Sequence, residues 1–404
     1  MKLSEIREIA SSQRERFDGE EQGLPREALG QLPDIVSHAL IVSGIRRCGK
    51  STILHQFTQR LGKPFFFFNF DDLRLSGFTV PDFRLLDEVI SESGCSVLFF
   101  DEIQSAPEWE LYVRQKLDER FQVLATGSNA SLLGDELGTK LTGRHITKEL
   151  YPFSYSEYLD FTGTARGLPS LQKYLSSGGF PEYLKTGNDD ILMQLQQDIL
   201  YRDIAARYGI RDIASLKRLL TYLISNAGHL VSPSRLTGAV GVKSPSTILE
   251  YFSHLEISYL IQLVPRFAWS AKAQSLAPKK VYVIDPGLVR TGSVSFSPDS
   301  GSRLENFVFL EYRRRTADIF YYSDGDHECD FVVNPHGGKP QCVQVCWDLT
   351  RDNEDREIAG LLSALDFFSL SDGTILTADT SDRILKDGKS IQVVPAHQFS
   401  PTGN

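Results

Sequence analysis

Long apolar runs are missing from this chain. No stretch approaches the roughly 20 consecutive apolar residues that a helix needs to cross a bilayer, and the aromatic run FFFF at 65–68 is far too short. A membrane partner is therefore not expected. Cysteine is scarce as well: Cys48, Cys95, Cys329, Cys342 and Cys346 are odd in number and show no C-x-x-C spacing, which excludes a disulfide framework and fits a reducing compartment. Cys329, Cys342 and Cys346 could be drawn into a metal cluster with His327 and His336. Strand alternation instead puts Cys342 and Cys346 on one face, where a free thiol is usually a small core residue. The N-terminal stretch MKLSEIREIASSQRERFDGEE is charged throughout, with no apolar centre or small-residue cleavage site, so a cytoplasmic location is expected. An excess of positive charge is absent too. Lys and Arg total 43 against 52 Asp and Glu, a net charge of −9, so the chain does not coat duplex DNA by counterion release and any nucleic-acid contact must be a local patch.

With 404 residues, 41% hydrophobic and 24% charged, the chain exceeds the roughly 250–300 residues at which single cores stop growing. Several domains are expected. The most informative segment is HALIVSGIRRCGKSTILHQF at 38–57. An apolar strand, Ala39 to Val42, runs into Gly44, Ile45, Arg46, Arg47, Cys48, Gly49, Lys50, Ser51 and Thr52, which match G-x-x-x-x-G-K-S/T and lead into a helical pattern. Glycines let backbone N–H groups turn inward around phosphate oxygens, and the helix N-terminus adds its positive dipole end. Lys50 reaches the terminal phosphates of ATP and Ser51 holds Mg²⁺.

CSVLFFDEIQ at 95–104 reads as a buried parallel strand ending in two acids. In such an arrangement the first, Asp101, meets Mg²⁺ and the second, Glu102, polarises an attacking water. Apolar FQVLATGSNASLL follows at 121–133; Ser128 or Asn129 can sense the γ-phosphate, or one of them caps a helix beginning at Ala130. Arg144, at the mouth of a last strand from His145 to Leu150, is the arginine-finger candidate, acting in cis or from a neighbouring subunit, against the alternative of a structural ion pair. Asp71-Asp72 close the FFFFNFDD strand, either near the site or only solvating the edge. Five strands alternating with helices predict an α/β phosphate-loop ATPase with a parallel sheet over 36–160, after an N-terminal helical segment 1–35.

From Leu171 the pattern turns helical, and paired glycines with proline in SSGGFPEY (176–183) mark a sharp turn. Residues 199–228 are amphipathic, with Arg202, Arg207, Arg211, Lys217 and Arg218 on a solvated face or reaching a neighbour's nucleotide. Residues 231–267 have a helix-turn-helix rhythm, with Ser232 as a cap, Gly241 at the turn and a second helix from Ser244 or Ser246. A strand from Ile261 to Phe267 completes a winged-helix outline, so 161–267 is expected to be a helical and winged-helix domain. Its second helix should expose Thr247, Glu250, Tyr251 and His254, with only Lys243 as a nearby cation.

A C-terminal α/β domain over 268–395, before a flexible tail at 396–404, is expected to be restriction-endonuclease-like. Glu305 on a helix and Asp330 on a strand fall where such folds gather acids around a metal ion, and the next strand should bring E-x-K. Here it brings Gln344 and Cys346, a neutral amide and a thiol, so nuclease activity is not expected.

GIRRCGKST, DEIQ, TGSN, GR before LYPFSYSEYL, GGFPEY, KVYVIDPGL, LENFVFLEY and ECDFVV, in that order, resemble the bacterial and archaeal AAA-type ATPases that join an AAA_14 ATPase domain to a C-terminal DUF4143 domain. The resemblance covers nearly the whole chain. It implies Lys50 and Ser51 on phosphate and Mg²⁺, Asp101 and Glu102 in hydrolysis, a nuclease-like C-terminal fold, and ATPase activity that depends on a homo-oligomer, with hexamers among the arrangements. The function expected is an ATP-hydrolysing protein acting on DNA, single-stranded or branched. The alternative is a nucleotide-gated switch that binds a protein partner.

Overall fold

The computed structural model describes residues 1–129, 140–294 and 299–401. They form two compact units, Met1–Tyr151 and Pro152–Asn404. The helix expected to begin at Ala130 lies outside the described residues.

The first unit is built on β1 (Ala39–Ser43), β2 (Phe65–Asn69), β3 (Val97–Asp101), β4 (Gln122–Gly127) and β5 (His145–Glu149). All pairings are parallel, in the order β2-β3-β4-β1-β5. β1, β3 and β4 are buried along their whole length, which is why their sequences are unbroken runs and not alternations. Helices Lys50–Leu61, Asp82–Ser93 and Trp109–Asp118 make the crossovers. The N-terminal helix Leu3–Asp18 is part of the same core: it contributes Ile6, Ile9 and Ala10 to the apolar cluster around Phe66, Phe68 and Phe100. On the other face Phe17 stacks on Phe67 with ring centroids 4.0 Å apart. Each such buried Ile or Phe side chain stabilises the unit by about 1.5–3 kcal/mol.

The second unit holds two sheets. β6 (Leu230–Val231), β7 (Ile261–Val264) and β8 (Lys279–Val283) are antiparallel in the order β6-β8-β7. Helices Ile213–Ser225, Pro233–Val240 and Pro245–Ile257 accompany them. Gly241 ends the second of these helices in the left-handed region at φ 76°, and the Ser244 side chain accepts from the Ser246 N–H to start the third. That third helix differs from its expected face. Tyr251 and His254 are buried, with His254 stacked on Tyr208 at 3.8 Å; the helix exposes Pro245, Ser246, Leu249, Ser253 and, as expected, Glu250.

The larger sheet runs β13-β14-β12-β11-β10-β9, from β9 (Ile319–Ser323), β10 (Glu328–Val333), β11 (Gln341–Val345), β12 (Asp372–Thr377), β13 (Asp382–Lys386) and β14 (Lys389–Pro395). β9, β10 and β11 pair antiparallel and β11, β12 and β14 parallel. Phe331, Val333, Val343 and Val345 share a cluster with residues of helix Ser300–Arg313, while Cys329, Cys342 and Cys346 share one with residues of helix Glu354–Phe367. The three thiols are thus core residues. Two of the sequence motifs are joined in this unit: the Asp285 carboxylate accepts the N–H of Gly179 at 2.7 Å and of Gly287 at 2.8 Å. A Cβ on Gly179 would collide with the backbone of Phe153, so the GGFPEY turn requires glycine there.

Candidate functional site

In the first unit the phosphate loop leaves the C-terminal end of β1 and ends at Gly49, whose φ of 100° suits glycine and which caps helix Lys50–Leu61. β3 ends beside it in Asp101. Ser51 Oγ donates to Asp101 Oδ1 at 2.8 Å, and Thr126 Oγ1 donates to the same oxygen at 2.5 Å. Lys50 is buried; its Nζ donates to the loop carbonyl of Ile45 at 3.2 Å and lies 3.6 Å from Glu102 Oε1. Glu102 adopts φ 47°, a left-handed conformation that costs a non-glycine residue about 1 kcal/mol or more. Its N–H donates to Thr126 Oγ1 at 3.0 Å and its carboxylate accepts from Gln104 at 2.5 Å. Ser128 Oγ is 3.4 Å from the same Gln104 amide, and the Asn129 carbonyl accepts from Ser43 Oγ at 3.0 Å.

The two acids are set apart electrostatically. Burial, then the Glu102 charge, pushes Asp101 up to about 6. Burial also acts upward on Glu102, but Lys50, the Gln104 hydrogen bond and Arg46 together hold it below the usual carboxylate range. Asp71 lies near this centre, 3.6 Å from Arg46 of the loop. With Ser51, Asn69 and Asp101 it lines a cavity of about 380 Å³. Asp72 lines the same cavity and bonds Gln13 and Arg74.

Arg144 is not brought to this centre. It precedes β5, its carbonyl accepts from Ala39 at the start of β1, and its guanidinium pairs with Asp118 at 2.8 Å. The loop leaves the opposite end of β1, roughly 15 Å of strand away, so Arg144 does not serve the nucleotide position of its own chain. Two contributors escaped the sequence. Thr126 bridges both acids, and buried Arg26 donates to the loop carbonyl of Cys48 and to Tyr151, each at 2.7 Å. Thr126 is the first residue of TGSN, one strand over from Asp101, and could have been found from that motif. Arg26 carries no local pattern.

In the second unit Glu305, Asp330, Gln344 and Cys346 line one cleft of about 680 Å³. An irregularity in β10 between Cys329 and Val332 displaces the register at Asp330, the kind of device that re-aims a side chain. Asp330 Oδ2 accepts from Val345 N–H at 2.8 Å. Gln344 accepts from Asp330 N–H at 3.3 Å and donates to Glu357 at 2.7 Å. Burial raises Glu305 to about 7, with Lys280 opposing and Asp330 adding to the rise. Lys280, which the sequence did not single out, lies among these acids.

The parallel sheet, the loop at the end of β1 and the acids at the end of β3 define an α/β phosphate-loop ATPase unit. Residues 36–159 match the family model described as "AAA domain" (AAA_14), a nucleotide-binding class. The chain belongs to the family of the "Uncharacterized protein MJ1544" of Methanocaldococcus jannaschii, to which it is 31% identical over 393 residues, 90% of this chain and 88% of that one. An "Uncharacterized protein" of Haemophilus influenzae is 28% identical over 338 residues, 78% of this chain and 84% of its own. Among solved structures, a point mutant of RuvB from Thermotoga maritima is similar at 15% identity, covering 64% of this chain and 90% of that one with a TM-score of 0.31. Drosophila ORC bound to AT-rich DNA and Cdc6 covers 71% and 92% at 13% identity, with a TM-score of 0.19.

One expectation is corrected. Residues 168–296 match "Domain of unknown function (DUF8612)" and not DUF4143. GGFPEY and KVYVIDPGL, which carried that resemblance, both lie inside the matched span, where Asp285 ties them together. Among the described residues no helix is long and apolar enough to cross a membrane.

Proposed function

We propose that this protein hydrolyses ATP with Mg²⁺ in its first unit and uses the second to bind what the hydrolysis acts upon, with DNA as the substrate. The observation that carries the reading is the meeting of Ser51 with Asp101 at 2.8 Å beside Lys50 and Glu102 at 3.6 Å. These residues fit the nucleotide. The loop from Gly44 to Thr52 surrounds the phosphates with backbone N–H groups, and Lys50 exchanges the Ile45 carbonyl for phosphate oxygen. Ser51 and Asp101 would hold the ion, which supplies charge neutralisation on the phosphates. Glu102, kept ionised by Lys50, accepts the proton of the attacking water. Ser128 and Asn129, at the end of β4, orient that water. Any finger role of Arg144 would fall at a neighbouring subunit's site and so requires a homo-oligomer.

The proposed division of labour gives 36–160 to the nucleotide, 161–267 to a winged helix and 268–395 to an inactive nuclease-like frame. The β6-β8-β7 sheet with its three helices supports the winged helix, and a helix, three antiparallel strands, a helix and a parallel strand support the frame. A second reading, capture of a protein partner, is favoured by the exposed Leu249 and Glu250 on the third helix of the winged-helix region. ATPase rates with single-stranded, duplex and four-way-junction DNA, against Lys50→Ala, test both. Stimulation by one DNA form supports the first reading; turnover indifferent to every form overturns it in favour of the second, and no Lys50-dependent hydrolysis overturns both.

A further inference from the structure

The cleft in the second unit contains a cation that its own sequence motif does not supply. Lys280 enters from β8, with its side chain 3% exposed. Its Nζ is 2.7 Å from Asp330 Oδ1, 2.9 Å from Glu328 Oε1 and 3.0 Å from Glu305 Oε1. Tyr282, two residues along the same strand, donates its hydroxyl to Glu305 Oε1 at 2.6 Å. Glu305 and Asp330 are the two acids that a metal-dependent nuclease would turn on its ion. Here one oxygen of each is committed to the same ammonium.

Two neighbouring groups are engaged as well. Asp330 Oδ2 accepts from Val345 N–H, and Gln344 is spent between Asp330 and Glu357. An ammonium has three donors; here Asp330 Oδ1 and Glu305 Oε1 accept a hydrogen bond each and Glu328 adds an ion pair, so three carboxylates surround the one cation. A divalent ion binds carboxylate oxygens at about 2.0–2.6 Å, and it would have to share oxygens with a fixed positive charge less than about 3 Å from each of them. The residues therefore do not fit a metal ion. Among the described residues no set of three or more His, Cys, Asp and Glu is arranged to hold one.

We infer that Lys280 is the resident cation of this cleft, standing where a divalent ion would sit between Glu305 and Asp330, and that its removal uncovers a divalent-metal site. Glu305 and Asp330 then serve to neutralise a lysine, and their chemistry is that of a buried ion cluster. This uses the nuclease-like reading only to locate the ion, so it can fail while the ATPase reading stands.

The test is Mn²⁺ binding to the nucleotide-free full chain, followed by the electron paramagnetic resonance signal of free Mn²⁺. Lys280→Ala is expected to bind one more Mn²⁺ than the native chain, which itself shows no Asp330-dependent binding. Adding Asp330→Asn should abolish the gain. Removing one partner of a buried charge cluster can unfold a protein. Lys280→Ala with Glu328→Gln lowers that strain while leaving Glu305 and Asp330, and Mn²⁺ should raise its melting temperature by more than it raises that of the native chain. The inference is overturned if the native chain binds Mn²⁺ in a way that Asp330→Asn removes, a comparison that needs no Lys280 variant. It is equally overturned if a folded Lys280 variant binds no more Mn²⁺ than the native chain.

Discussion

Arg26 lies outside every motif in the sequence, yet the phosphate loop rests on it. Its guanidinium, 5% exposed, spans the loop carbonyl of Cys48 and the carbonyl of Tyr151, both at 2.7 Å. The segment that carries it is pinned to the helix after the loop, since Gln56 Nε2 donates to the carbonyls of Gln22 and Leu24 at 2.6 and 3.0 Å. Replacing Arg26 with Ala removes two charge-assisted hydrogen bonds, each worth about 1.5–3 kcal/mol, and leaves two carbonyls to find water. With water restoring part of this, a loss of about 3 kcal/mol is expected, or about 6–12 °C in the melting temperature of a unit this size. The loop would also lose its backing, so ATP affinity should fall by about tenfold or more. Arg26→Lys, a compact ammonium without the planar fork, reaches one carbonyl and should show about half of each effect. Thermal unfolding and fluorescent-nucleotide titration measure the two quantities on the same samples. An Arg26→Ala protein that melts within about 2 °C of the native one and binds ATP with unchanged affinity would refute the assignment.

Two further outcomes follow from charges fixed in the structure. Glu102→Gln keeps the side chain's shape beside Lys50 but cannot accept a proton; single-turnover hydrolysis should fall by about 10²–10⁴-fold while equilibrium binding of ATP stays within a few-fold. Asp285 is pushed by burial up to about 6 from an ordinary 3.8, against the opposing hydrogen bonds from Gly179 and Gly287. Below about pH 4 it is protonated whether folded or unfolded, and as pH rises through 6 the native state must ionise a buried group that the unfolded chain ionises freely. That contribution, about 3 kcal/mol, is lost between pH 4 and 7. Denaturant unfolding of Asp285→Asn should therefore gain about this much on the native protein across that range, and parallel pH curves would show the assignment wrong.

What was legible in the sequence was what is local. GIRRCGKST and LFFDE each lie within one strand and the turn that follows it, so periodicity, glycine and a terminal acid suffice to place them, and Ser51 and Asp101 do meet. What was not legible depends on a partner far along the chain. Tyr251 and His254 read as exposed because only their own helix was counted, whereas Tyr208 covers His254. Lys280 reads as the polar start of a strand until Glu305, Glu328 and Asp330 close around it. No periodicity in KKVYVI distinguishes a solvated lysine from a buried one.

Arg144 is a different case, because strand direction already contained the answer. In a parallel sheet all the C-terminal ends lie on one edge, and the nucleotide loop follows the C-terminal end of β1. A residue immediately before β5 must then lie on the other edge, as the pairing of Ala39 with His145 requires. Its ion pair with Asp118 is what that edge offers. Any catalytic use of Arg144 must come from an edge of one subunit turned toward the loop of another, so Arg144→Ala should lower ATPase turnover only under conditions in which the chain assembles. Turnover measured alongside assembly size across a dilution series separates that outcome from a purely structural ion pair, for which the variant would alter stability at every concentration and turnover at none.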